Sequence, residues 1–186
     1  MTTTLVLGAE RSGKSRYAES LLAAHPEVTF VATGPTPGPT DAPDLAHWIR
    51  QHQDDRPAGW KTVETHDLTR AMLSSRHPVL IDDLGCWVQG VIEDIKGWGS
   101  PVRTHERLVE RVDELVVAWR HLPFDVVAVS PETGWGLPSR SSKERLLRDS
   151  LGYVNTRLSR SSHKVHLVVA GRVIDLSNAP TVPPAP

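Results

Sequence analysis

Apolar and polar positions fall into short blocks along the chain, and strand-like blocks take turns with helix-like ones. Thr3–Leu7 (TTLVL) reads as a buried first strand, and Ser15–Ala24 as the helix after it. Val28–Thr33 (VTFVAT) predicts a second strand. Gly34–Pro43 (GPTPGPTDAP) then breaks regular structure, because its four prolines lack amide donors and its glycines add backbone freedom. Leu45–Gln53 has a helical pattern. Val79–Asp82 (VLID) predicts a third strand and Asp125–Ser130 (DVVAVS) a fourth. Between them, Leu108, Val112, Leu115, Val116 and Trp119 recur at helical spacing and form one apolar stripe on a long helix. Val165–Ala170 reads as a last core strand, which Gly171 turns into the short strand Val173–Leu176.

This alternation predicts an α/β domain with a mainly parallel sheet flanked by helices. With 186 residues the chain is long enough for one full core, placed at residues 1–176. Ser177–Pro186 (SNAPTVPPAP) has almost nothing to bury and is expected to be a disordered tail. The net charge of -1 comes from interspersed residues, so neither nucleic acid nor insertion into a membrane is expected. Cys86 is the only cysteine, which excludes an intramolecular disulfide. With a strand starting at Thr3 and no membrane-length apolar run, the expected location is the cytoplasm.

The most specific signal is Gly8-Ala9-Glu10-Arg11-Ser12-Gly13-Lys14-Ser15, a complete G-x-x-x-x-G-K-[ST] segment between a predicted strand and a predicted helix. Glycines let the backbone curl so that its amides point inward, and the helix N-terminus adds partial positive charge for phosphate. Lys14 can then reach the β and γ oxygens of ATP or GTP, and the Ser15 hydroxyl can join the shell of a Mg²⁺ ion. Asp82 ends an apolar strand and can hold the same ion, or it can simply cap the strand. Asp83 is adjacent, so on a strand the two carboxylates point to opposite faces, and Asp82 is favoured toward the phosphates.

A second informative segment is His52-Gln53-Asp54-Asp55-Arg56-Pro57, leading to Trp60, Thr62 and Glu64. Imidazole is a good nucleophile near neutral pH, and with Arg56 nearby His52 can carry a nucleotidyl group as a phosphoramidate. Equally, His52 shares a helical face with Leu45, Trp48 and Ile49 and can be a plain residue at the core edge. His47 lies about 140° round the helix, so the two histidines are a poor metal pair.

These motifs, in this order, resemble the adenosylcobinamide kinase/adenosylcobinamide-phosphate guanylyltransferase family of cobalamin biosynthesis. The likeness runs from Leu5 to about Leu176. It is carried by GAERSGKS, by Val31–Thr33 and by H-x-x-x-R-P-x-x-W-x-T-x-E (His52, Arg56, Pro57, Trp60, Thr62, Glu64). Glu132-x-Gly134-Trp135-Gly136, Arg148-Asp149, Asn155-x-Arg157-Leu158 and Val168–Gly171 add to it. The resemblance implies a RecA-like P-loop NTPase fold and a homotrimer. It implies phosphorylation of the aminopropanol hydroxyl of adenosylcobinamide by ATP or GTP. GMP transfer from GTP onto that phosphate follows, giving adenosylcobinamide-GDP and pyrophosphate. His52 maps to the guanylylated residue, and nucleotide contacts map to Gly8–Ser15, Thr33, Gly34, Pro35, Gln53, Asp54, Asp55, Arg56, Glu64 and Asp82.

Some positions depart from the family pattern. The run Leu84–Gly90 replaces a Thr-containing stretch followed by Asn, Pro131 replaces an Asn, and Trp48-Ile49 replaces Arg-Ile. These changes bear on the acceptor and subunit surfaces more than on nucleotide binding. Two other readings stand beside the family one: a P-loop kinase for another small alcohol, and a nucleotide-binding regulatory protein without turnover. No general base is identifiable beyond Glu132 as a candidate.

Overall fold

The computed structural model describes residues 1–34, 57–137 and 139–183. The expected helix Leu45–Gln53, most of the Gly34–Pro43 loop and the segment from His52 to Arg56 lie outside the described residues. The strands are β1 (Thr3–Gly8), β2 (Val28–Ala32), β3 (Trp60–Glu64), β4 (Val79–Asp82), β5 (Val126–Pro131), β6 (Lys164–Val169) and β7 (Arg172–Asp175). The helices are α1 (Lys14–Leu22), α2 (Leu68–Ser74), α3 (Leu84–Asp94), α4 (Pro101–His121) and α5 (Ser142–Ser159). One sheet runs in the order β3-β2-β4-β5-β1-β6-β7. The first six strands of that order are parallel, and β7 returns antiparallel along β6. This is the expected RecA-like P-loop arrangement, with one strand between the P-loop strand and the strand ending in Asp82.

Strand alternation divides the sheet between two cores. Leu5, Leu7, Val31, Val79, Ile81, Val126 and Ala128 face the larger one, which is covered by α2, α3, α4 and α5. Val6, Phe30, Leu80, Val127 and Val129 face the other side, where α1 supplies Ala18 and Leu22 at i, i+4 spacing. The stripe predicted on the long helix is real: Leu108, Val112, Leu115, Val116 and Trp119 of α4 are all buried. Burial on both faces is why the central strands read as near-continuous apolar runs.

Sequence patterning missed β3, so VLID is the fourth strand along the chain and not the third. As an edge strand β3 pairs only with β2, and only Trp60 in it is fully buried. Helices α2, α3 and α5 were also missed. Each starts at a side-chain cap: Asp67 accepts from the Arg70 amide at 3.1 Å, Asp83 from Cys86 at 2.9 Å and Ser141 from Glu144 at 3.4 Å. Residues 177–183, read above as a tail with little to bury, are bonded to the body. The Ser177 hydroxyl accepts from the Val165 amide at 3.1 Å, and Arg160 donates to the Val182 carbonyl at 2.8 Å. No described helix is long and apolar enough to cross a membrane.

Two glycines give opposite expectations for stability. A Cβ on Gly59 would lie 2.1 Å from the Pro26 carbonyl oxygen, whereas one on Gly152, within α5, meets nothing within 4 Å. Gly59→Ala should cost about 2 kcal/mol or more, and Gly152→Ala should add about 0.5–1 kcal/mol through helix propensity. Urea unfolding midpoints of the two variants check both signs.

Candidate functional site

The ends of β1, β2, β4, β5 and β6 are tied together at one edge of the sheet. β1 stops at Gly8, which pairs in register with Pro131 of β5 on one side and Val168 of β6 on the other. A Cβ at position 8 would sit 2.6 Å from Ser12 Oγ and 2.7 Å from the Val168 carbonyl oxygen, so only glycine fits. The chain then curls through two left-handed residues, Arg11 (φ 55°) and Gly13 (φ 94°). The Ser12 carbonyl accepts from the Gly171 amide at 3.0 Å, and the Gly8 carbonyl from Glu132 at 3.1 Å. The loop is thereby pinned to the β6–β7 turn and to the end of β5.

The cradle lies open at the start of α1. Gly13 occupies the N-cap position and no side chain caps the helix, so the first-turn amides are available to an anion. The hydroxyl of buried Ser12 has no hydrogen-bond partner among the described residues, a polar atom suited to a phosphate oxygen. Ala9, Glu10, Arg11 and Gly13 are exposed, and Lys14 and Ser15 are half-buried.

Beneath the cradle, Ser15 Oγ donates to Asp82 Oδ1 at 3.2 Å. Loss of water around Asp82 raises its pKa to about 6, with a further push from Asp83; Lys14 and the Ser15 bond pull the other way. The two adjacent carboxylates are divided between jobs, since Asp83 accepts the Cys86 amide and starts α3. Buried Thr33 holds this turn from β2: its hydroxyl donates to the Asp83 carbonyl at 2.5 Å, and its amide to that of Asp82 at 3.3 Å. Cys86 is no nucleophile. Burial, with Asp83 and Asp82 nearby, pushes its thiol up to about 12.

A hydroxyl and one carboxylate are the donor set of a Mg²⁺ ion that takes its other oxygens from phosphate and water. Among the described residues no group of three or more His, Cys, Asp or Glu is placed to hold a metal without such help. Gly34 follows Thr33 at the same edge. Glu64 ends β3 opposite Ala32, which itself pairs with Asp82, so it lies two strands out, about 10 Å along the edge. Pro35, His52, Gln53, Asp54, Asp55 and Arg56 lie outside the described residues.

Sequence reasoning assigned no role to a cavity of about 480 Å³ on the other flank of Asp83, between α3, the end of β5 and α5. Gly85, Pro131, Thr133, Leu147 and Arg148 line it. The only sequence signal was that Arg148 and the Glu132–Gly136 segment fit the family pattern. Two departures from that pattern prove to be one contact: a Cβ on Gly85 would lie 2.9 Å from Pro131 Cγ.

The raised pKa of Asp82 sets a sign for stability. Between its ordinary value of 3.8 and about 6, the folded chain binds more protons than the unfolded one, so stability falls as pH rises through that window. Above it the charge costs a constant amount, on the order of 1–3 kcal/mol. Asp82→Asn should therefore raise the thermal midpoint of the nucleotide-free protein by a few degrees at pH 7–8. The gain should vanish below about pH 4. Melting curves across that range check it.

Comparison with known proteins agrees with this geometry. The chain is similar to the bifunctional adenosylcobalamin biosynthesis protein CobU of Salmonella typhimurium, at 34% identity over 176 residues, covering 90% of this chain and 95% of that one. The Escherichia coli CobU is 31% identical over the same coverage. The bifunctional adenosylcobalamin biosynthesis protein CobP of Pseudomonas aeruginosa is 29% identical over 181 residues, 95% of this chain and 98% of that one. Residues 4–176, the whole body of the sheet and its helices, match the sequence model of one family. The chain belongs to the cobinamide kinase / cobinamide phosphate guanyltransferase family.

Proposed function

We propose that this protein phosphorylates adenosylcobinamide with ATP or GTP and then transfers GMP from GTP to the new phosphate, giving adenosylcobinamide-GDP. The observation that carries the reading is the Ser15–Asp82 hydrogen bond beneath an uncapped helix N-terminus, in a chain of this family. The amides of residues 9–15 cradle the phosphates, and Lys14 neutralises the β and γ oxygens. Ser15 and Asp82 would hold Mg²⁺, which would supply charge stabilisation to the transferring phosphoryl group.

In the first reaction the aminopropanol oxygen attacks the γ-phosphorus, the bond to the bridging oxygen breaks, and ADP or GDP leaves. Glu132, tethered to Gly8 through its amide, is a candidate to take the hydroxyl proton. In the second, a nitrogen of His52 attacks the α-phosphorus of GTP and pyrophosphate leaves. A phosphate oxygen of the acceptor then attacks the same phosphorus and frees His52. Imidazole suits this role because it is neutral at working pH and leaves well once protonated. Thr33, Gly34, Pro35, Gln53, Asp54, Asp55, Arg56 and Glu64 complete the nucleotide contacts by family resemblance. The same resemblance supports a cytoplasmic homotrimer.

Incubation with α-labelled GTP tests the reading. Wild type should form an acid-labile, alkali-stable GMP adduct, and His52→Ala should lose the adduct and guanylyl transfer while retaining measurable phosphorylation of adenosylcobinamide. Lys14→Ala should lower both activities about 100-fold or more. Asp82→Asn should weaken nucleotide binding more with Mg²⁺ than in EDTA. A label that persists in His52→Ala, or never forms on wild type, overturns the nucleotidyl-transfer half and leaves a simple kinase.

A further inference from the structure

The connection from β5 to α5 carries large apolar side chains into solvent, where the fold makes no use of them. Trp135 is 75% exposed and Leu137 is 90% exposed. Both follow Glu132, whose amide is bonded to the P-loop residue Gly8, so they lie close to the nucleotide edge. The Leu137 carbonyl is bonded to Arg148, which lines the cavity of about 480 Å³. One wall begins at Asp83, beside the Asp82 carboxylate, and the opposite wall is the face of α5 bearing Glu144, Leu147, Arg148 and Leu151.

Arg148 stands out among these residues. Its Nη1 donates to the Leu137 carbonyl at 2.9 Å, which holds the loop at the cavity. Its guanidinium forms no ion pair with a carboxylate among the described residues, although other arginines here do so. Glu144, one helical turn earlier, accepts the Ser139 hydroxyl instead. Asp83 and Glu144 make the cavity hospitable to a neutral alcohol and unfavourable to an anion. A phosphate formed there needs a cation, and among the described residues Arg148 is the cation lining the cavity.

We propose that this cavity seats the aminopropanol arm of the acceptor, that Arg148 binds the phosphate once it is formed, and that Trp135 and Leu137 carry the corrin ring outside. The inference rests on the function proposed above and adds the residues that distinguish its two acceptors. The arm is small enough for the cavity, whereas the ring is too large to enter and needs an apolar, partly aromatic surface at the mouth. One seat then serves both reactions: the alcohol binds through the ring and arm, and the phosphate ester gains the guanidinium.

KM values measured for adenosylcobinamide in the kinase reaction, and for its phosphate in guanylyl transfer, test this. Arg148→Gln should raise KM for the phosphate ester about tenfold more than for the alcohol, and Arg148→Lys should recover part of that difference. Trp135→Ala, at an exposed position, should raise both KM values in proportion. An Arg148→Gln effect equal for both acceptors would make Arg148 a loop anchor and overturn the proposal, as would a Trp135→Ala variant with neither KM changed. Wild-type protein with neither activity would overturn the function and this inference together.

Discussion

No side chain fits at position 8. The last residue of β1 is held between its register partners on both sides, with Ser12 Oγ and the Val168 carbonyl where a Cβ would stand. That closeness lets the phosphate loop fold back over the strand and hand its serine and lysine to the first turn of α1. The same residue accepts the Glu132 amide, which ties the cradle to the segment after β5. The rest of the site is arranged around this point.

Charge is distributed along the edge by the end of β4. Asp82 keeps its carboxylate under the cradle at the cost of losing water, and Ser15 and Lys14 offset only part of that loss. Asp83 spends its carboxylate on starting α3, and Thr33 clamps both carbonyls from the neighbouring strand. The raised pKa marks Asp82 as a group that gains from a cation. The thiol of Cys86 close by is pushed up first by burial and then by the same carboxylates.

The cavity beside Asp83 shows how a departure from a family pattern can be absorbed. Gly85 and Pro131 each look anomalous alone, but the ring of one occupies the space that a side chain on the other would fill. Together they let the first turn of α3 lie against the end of β5, and both line the cavity beside Arg148. Seen as a pair, they shape one wall of that cavity, and Pro131 also flanks Gly8 at the root of the cradle.

Much of the fold was legible from local pattern. Central strands buried on both faces appear as apolar runs, the α4 stripe recurs at helical spacing, and the P-loop is written in contiguous residues. Strand alternation separated the two carboxylates, and the Ser15 bond to Asp82 is seen only in the structure. Tertiary structure decided what depends on residues far apart in the chain. β3 gains its partner only from β2 and carries an edge strand's mixed pattern, so periodicity passed over it. The residues after Leu176 are poor in apolar groups, yet Ser177 and Val182 are tied down by bonds to Val165 and Arg160. The rise in the Asp82 pKa comes from burial, and the cavity is walled by segments around 85, 131 and 148 that meet only when the sheet is complete. Propensity and motif act within a few residues, whereas desolvation and enclosure come from neighbours that only the fold supplies.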